Sequence, residues 1–327
     1  MLNICIDDST TGTKGGACYK LCPAGAGCPT TGGTIWVTGG TYKLSNPVKL
    51  GSSKNGNASA ALNVTAVADA TPEGANPAIL DFSGLARASS CSGASSSGGT
   101  VGITVNGNYW HISGLTVIHA SDNGIKVQGG NDILENCVAH DNDDFGIALG
   151  HLSSSGTPVA GAGSNNQFIN CDSYHNVDKI CSGESADGFG AKKNSGTGNV
   201  FKGCRSWSNS DDGYDFYGWT DSITLQNCWA FNMATESAYS GSNSDGNGFK
   251  LGSSGGDGGH KLTSCIAFGN KATGFTSNSG ASSSCTGCKS CNNGKADTGV
   301  SGVTSGGCPS SAAAQMKRAS DGSLPSI

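Results

Sequence analysis

Short apolar runs, each closed by a small residue, recur through the middle of the chain. They are ILENC ending at Cys137, QFINC at Cys171, VFKGC at Cys204, TLQNC at Cys228, KLTSC at Cys265 and CTGC at Cys288; HISG at Gly114 fits the same frame. Successive anchors lie 23, 34, 33, 24, 37 and 23 residues apart, a unit of about 23 residues with insertions of 10 to 14 residues in three turns. Five residues past the anchor stand Asn142, Asn176, Asn209, Asn270 and Asn293, while the Cys228 turn has Asn232 one place early. A Gly before an aromatic or aliphatic residue follows each time: Gly124-Ile125, Gly146-Ile147, Gly188-Phe189, Gly213-Tyr214, Gly248-Phe249, Gly274-Phe275 and Gly299-Val300. Each unit therefore holds at least two short strands with a bend between them and no helical periodicity.

This pattern predicts an all-β solenoid, a parallel β-helix whose coils bury their apolar side chains against their neighbours. An inward Asn at a bend can bond its amide to the turns above and below; the other reading is loop Asn in a polar-rich chain. Residues 32 to 44 (GGTIWVTGGTYKL) and 78 to 84 (AILDFSG) read as further strands. One domain over 1–327 is expected, with a Cys-rich cap at 1–31, coils over 32–300 and a tail over 301–327. Cys5, Cys18, Cys22 and Cys28 are expected to staple the cap over the open end.

Composition narrows the partners. A net charge of −5 gives no basic footprint for nucleic acid, and no run approaches the length of a membrane span. The 53 glycines suit a turn-rich β protein, and 15 cysteines point to an oxidising compartment, hence to export. No signal-peptide core follows Met1, so an exported protein is expected to have lost its leader. Asn57 and Asn63 begin glycosylation sequons.

The frame makes a geometric prediction, because equivalent positions on adjacent coils stack about 4.8 Å apart. Just before the marker Gly come Asn123, Phe145, Asp187, Asp212, Asn247 and Thr273; two places after it come Lys126, Ala148, Gly190, Asp215, Lys250 and Thr276. Asp187 and Asp212 should be neighbours, and so should Asp215 and Lys250. With Asp211, four carboxylates then fall within two coils, where unpaired like charges repel. So many hard oxygens favour Ca²⁺ over Zn²⁺; the plainer reading is solvated Asp in turns beside Gly. Lys250 would stand one coil above the ion, either as a salt bridge or as a base. A metal to bind a uronate carboxylate and an amine to remove the hydrogen on the adjacent carbon are the two parts an elimination needs, the amine's pKa lowered by nearby positive charge.

At these residues the sequence resembles polysaccharide lyase family 9, through NCVAHDN, ESADGFGAK, GCRSWSNSDDGYDFY, NCWAF, GNGFKLG and CIAFGNK, in order over about residues 110 to 275. The resemblance implies a right-handed parallel β-helix, Ca²⁺ as cofactor with ligands Asp187, Asp211, Asp212 and Asp215, and Lys250 as catalytic base. It implies a secreted lyase acting by β-elimination on an acidic plant cell-wall polysaccharide, either polygalacturonate or rhamnogalacturonan, as a monomer. Substrate contacts are expected from Lys192, Arg205, Trp219 and Asn247, with Lys193 and Tyr217 as further leads. Two rivals remain. A β-helical glycoside hydrolase would need Asn-Thr-Asp, Gly-His-Gly and Arg-Ile-Lys segments, none of which occurs here. A non-catalytic solenoid with Ca²⁺ as a staple would bind glycan without scission. His111, His119, His140 and His175 are expected to be structural, His260 to be a loop or strand-start residue rather than a catalyst, and the Cys285, Cys288 and Cys291 run to be disulfide and core cysteine rather than a metal site.

Overall fold

The computed structural model describes residues 32–51, 55–87, 89–91, 99–150, 163–192, 196–252, 258–278, 283–315, 318–319 and 322–324, and two short N-terminal strands. Ile4–Cys5 and Cys18–Tyr19 pair antiparallel; Cys22, Cys28 and Lys193 lie outside the described residues, and so does the staple expected of the cap.

From Thr34 onward the chain winds through parallel strands of two to eight residues in two sheets. One sheet stacks eight strands: Val48–Leu50, Ile103–Val105, Ile125–Val127, Ile147–Leu149, Phe189–Ala191, Tyr214–Asp215, Phe249–Lys250 and Phe275–Thr276. The other takes the remaining two strands of each coil, eighteen in all. One apolar core runs unbroken from Ile35 to Cys288. No helix among the described residues is long and apolar enough to cross a membrane.

The anchor cysteines form one inward column, in which each Sγ faces a main-chain carbonyl of the coil before it, as Cys171 faces Leu134 and Cys204 faces Phe168. Cys137, Cys171, Cys204, Cys228 and Cys265 are buried free thiols, so they pack the core and do not argue for an oxidising compartment. That argument rests instead on Cys91–Cys181, Cys285–Cys288 and Cys291–Cys308. Gly114 is out of frame by one: Val138 donates its N–H to Leu115 and Asp172 donates to Cys137, so buried Leu115 holds the anchor position.

The asparagine ladder is present and interrupted. Asn142 Nδ2 donates to Asn176 Oδ1 at 3.0 Å, Asn176 Nδ2 to Asn209 Oδ1 at 2.8 Å, and Asn270 Nδ2 to Asn293 Oδ1 at 2.9 Å. Between the two runs stands Met233, not Asn232: its N–H donates to Asn270 Oδ1 and its sulfur lies 3.9 Å from Asn209 Nδ2. The ladder also explains the marker glycines. A Cβ on Gly188 would lie 1.9 Å from Ser206 Oγ and 2.9 Å from Asn209 Nδ2, so the amide column fills the space that a side chain would need. A second ladder, which the sequence reading missed, runs through Asp132, Asn166 and Asn199. Beyond it buried His260 accepts from Ile223 N–H and donates its own N–H to Ser283.

The coils extend past the expected boundary at 300, because Ser301–Ser305 pairs in parallel with Ser284–Cys291. The tail then folds back along the eighteen-stranded sheet. Helix Ser311–Ala314 and Leu324 cover an external stack of Trp207, Phe231 and Phe268. Buried Arg205 and Arg318 both bind Asp172, and they reach the Ala314 and Gly322 carbonyls respectively, so the tail is strapped down.

Candidate active site

Strand alternation decides what each coil offers to solvent. In the eight-stranded sheet the residue after each marker Gly points inward, and Phe189, Tyr214, Phe249 and Phe275 stack face to face with centroids 4.6 to 4.9 Å apart. The next residue must point outward. Gly190, Asp215, Lys250 and Thr276 are register partners on consecutive strands, as the sequence frame requires. Main-chain bonds from Gly124, Gly146, Gly188, Gly213 and Gly248 to the residue before the next Gly likewise stack Asn123, Phe145, Asp187, Asp212, Asn247 and Thr273.

Asp187, Asp211, Asp212 and Asp215 converge, with one carboxylate oxygen from each lying within 4.8 Å of the others, and all four are buried. Each also has an oxygen held by a backbone N–H: Asp187 by Asp212, Asp211 by Asp245, Asp212 by Asn247 and Asp215 by Tyr217, at 2.6 to 2.9 Å. Among the described residues, the other oxygens of Asp187, Asp212 and Asp215 meet ammonium groups and no hydrogen-bond donor besides. Four fixed, buried, hard oxygen donors fit a Ca²⁺-type cation and offer nothing soft to Zn²⁺.

Two lysines face the cage. Lys250 Nζ lies 3.1 Å from Asp212, 3.4 Å from Asp215 and 2.8 Å from Asp245. Lys192 Nζ bridges Asp187 and Asp215 at 2.9 and 2.6 Å, and lies 4.8 Å from the Phe145 ring centre. Burial alone would depress the Lys250 pKa, yet the carboxylates of Asp212 and Asp215 outweigh it and hold the amine protonated. The lowering expected from the sequence is therefore not a property of these side chains alone; it needs positive charge in the cage. Burial, reinforced by neighbouring carboxylates, pushes Asp187 and Asp211 well above the usual range. For Asp215 burial acts the same way, but Lys192 and Lys250 prevail and bring it down.

The other expected substrate contacts separate. Asn247 is at the site but turned into it: its Nδ2 donates to Asp212 Oδ1 and its Oδ1 accepts from Thr273 Oγ1, so it orients a cage carboxylate. Arg205 belongs to the other sheet, 2% exposed, and is spent on Asp172 and the tail. Trp219 is 0% exposed in the core. Neither can present itself to a polymer, because residue order around the cage says nothing about which wall of a coil a side chain leaves from. Asp245 was missed; the Asp-Gly turn five residues before Lys250 is the only signal for it.

Residues 7–305 match the family model described as Pel9A-like, right-handed β-helix region. The chain belongs to this family. Its coil is therefore right-handed, as the resemblance implied. Pectate lyase L of Dickeya chrysanthemi is 39% identical over 184 residues, 55% of this chain and 40% of that protein. Pectate lyase L of Paenibacillus polymyxa is 37% identical over 254 residues, 76% of this chain and 53% of that protein. The chain thus spans about half the length of these relatives. Among solved structures, pectate lyase Pel9A superposes with a TM-score of 0.72 at 28% identity, over 91% of this chain and 80% of that one. A rhamnogalacturonan lyase shares the fold, with a TM-score of 0.68 at 22% identity over 91% and 88%.

Proposed function

We propose that this chain is a secreted, Ca²⁺-dependent polysaccharide lyase of the pectate type, which breaks acidic galacturonan chains by β-elimination. The observation that carries it is the register of Lys250 on Asp215, which sets an amine beside four converging carboxylates on an outward face. The pectate lyases among its relatives and the disulfides on the coil support the substrate class and the export.

Ca²⁺ in the cage would supply positive charge to a substrate uronate, which acidifies the hydrogen on the carbon beside it. Asp187, Asp211, Asp212 and Asp215 would hold it, and Asn247 would keep Asp212 aimed. Lys250, once cation charge in the cage has let its ammonium lose a proton to solvent, takes the C5 proton on Nζ; the C5–H electron pair forms the C4–C5 double bond, and the C4–O bond breaks with its pair on the glycosidic oxygen, which takes a proton from water. Lys192, freed from Asp187 and Asp215, turns its ammonium to a substrate carboxylate. The cage is complete within one chain, so a monomer suffices.

Incubation with polygalacturonate and with rhamnogalacturonan, each with Ca²⁺ or with chelator, tests this reading. Ultraviolet-absorbing unsaturated uronide ends should appear from polygalacturonate and vanish with chelator. Scission to saturated ends, or binding without scission, would refute it.

A further inference from the structure

The column that contributes Asp211 to the cage continues down the coil. Asp122, Asp144, Asp178 and Asp211 each stand two residues past a ladder position, those of Ala120, Asn142, Asn176 and Asn209. Asp143 donates its N–H to Ala120, Val177 to Asn142 and Ser210 to Asn176, so these segments lie in register on consecutive coils. Three aspartates outside the cage are thus stacked at the spacing of strands, about 4.8 Å.

Around two of them, buried oxygens are left over. Asp144 is 4% exposed and Asp178 1%. Asp144 Oδ1, Asp178 Oδ2, Asn123 Oδ1 and Ser185 Oγ are buried oxygens without a hydrogen-bond partner among the described residues, while Asn123 Nδ2 donates to Asp122; main-chain bonds from Asp143 to Ala120, Val177 to Asn142 and Gly146 to Asp187 put their segments on adjoining coils. Asp178 repeats the arrangement seen in the cage: Oδ1 accepts the Cys181 N–H at 2.8 Å and Oδ2 is left over. Of the cations nearby, Lys192 is engaged with Asp187 and Asp215 and Arg87 with Asp143, while Lys179 acts on Asp143 only through its charge. Burial first, then the Asp122 charge, drives the Asp144 carboxyl well above its ordinary range, a cost that a cation would remove.

We infer that Asp144 and Asp178, with the Asn123 amide oxygen and the Ser185 hydroxyl, form a second divalent-cation site of the Ca²⁺ type, below the Asp187 cage. Its donors are hard oxygens alone, which selects Ca²⁺ over softer metals. Among the described residues only the cage gathers three or more carboxylates within 4.8 Å. The second site completes its shell with neutral oxygens and water, and it binds the more weakly of the two, by tenfold or more. Its ion clamps the segment 178–187, pinned at Cys181 by the disulfide to Cys91, onto the coil below, and so fixes the loop that delivers Asp187 just before the strand Phe189–Ala191.

Titration calorimetry with Ca²⁺ on chelator-stripped protein tests the inference independently of catalysis. The wild type should take up two ions per chain with separate affinities. Asp144→Asn and Asp178→Asn, both near-isosteric, should each lose the weaker ion and keep the tighter, and Asp212→Asn should lose the tighter and keep the weaker. A melting curve on each variant checks the fold, and the second variant serves if the first does not fold. One ion per chain in the wild type, or two in both Asp144→Asn and Asp178→Asn, overturns the inference.

Discussion

Two aspartates show how burial sets opposite demands on one residue type. Asp212 is buried with its Oδ1 bonded to Asn247 and its Oδ2 beside Lys250. Asp212→Asn removes one of four anionic donors and should weaken Ca²⁺ binding by at least tenfold, with activity falling in parallel at fixed Ca²⁺; calorimetry beside a product assay checks it. Asp132 sits in the second ladder where its neighbours are Asn. Asn166 donates Nδ2 to the Gly129 carbonyl, but Asp132 Oδ2 has no partner among the described residues, and burial pushes its pKa up to about 8. The folded state therefore holds a proton that the unfolded chain releases near pH 4. Stability is full below that pH and is lost as pH rises through about 8. Asp132→Asn should abolish this loss and raise stability at pH 9 by roughly 2–5 kcal/mol, as read by denaturant melts at pH 5 and 9.

At the level of strands and bends, the repeat was legible because one coil's demands are written at fixed offsets. A marker Gly is required wherever a ladder amide occupies its Cβ position, so Asn and Gly recur together, and together they fixed the register that sets Lys250 over Asp215. Two features were illegible for the same reason. Met233 fills a ladder position with the wrong chemistry, and Leu115 fills an anchor position beside a Gly that looks like one. Periodicity reads position, and in both turns composition misled it by one residue. The ladder itself is testable: Asn176→Ala leaves the Asn142 side-chain amide and main-chain N–H without the Asn176 Oδ1 that both donate to, in a buried core, while Asn209 Oδ1 keeps only the main-chain N–H of residue 176. It should cost roughly 2–4 kcal/mol, measured by chemical denaturation.

Over the whole molecule, the solenoid places its chemistry on one sheet and its fastening on the other. Arg205 was misassigned to the substrate because the sequence does not say which sheet a strand joins; the structure commits it, with Arg318, to Asp172 under the tail. Burial raises the Asp172 pKa, but Arg318 and Arg205 outweigh it and bring it down. This contribution is present above about pH 4 and is lost as pH falls. Asp172→Asn would leave two buried guanidinium groups without their counter-charge and should destabilise by about 3–5 kcal/mol, releasing the tail to protease.

The account turns on an amine in register above a carboxylate cage. The most direct measurement is the rate of unsaturated-product formation by Lys250→Ala on polygalacturonate at saturating Ca²⁺, with Ca²⁺ affinity determined on the same preparation. The account predicts a loss of about a thousandfold or more in rate, with affinity kept or increased because a competing ammonium has gone. A rate within a few-fold of wild type would contradict it.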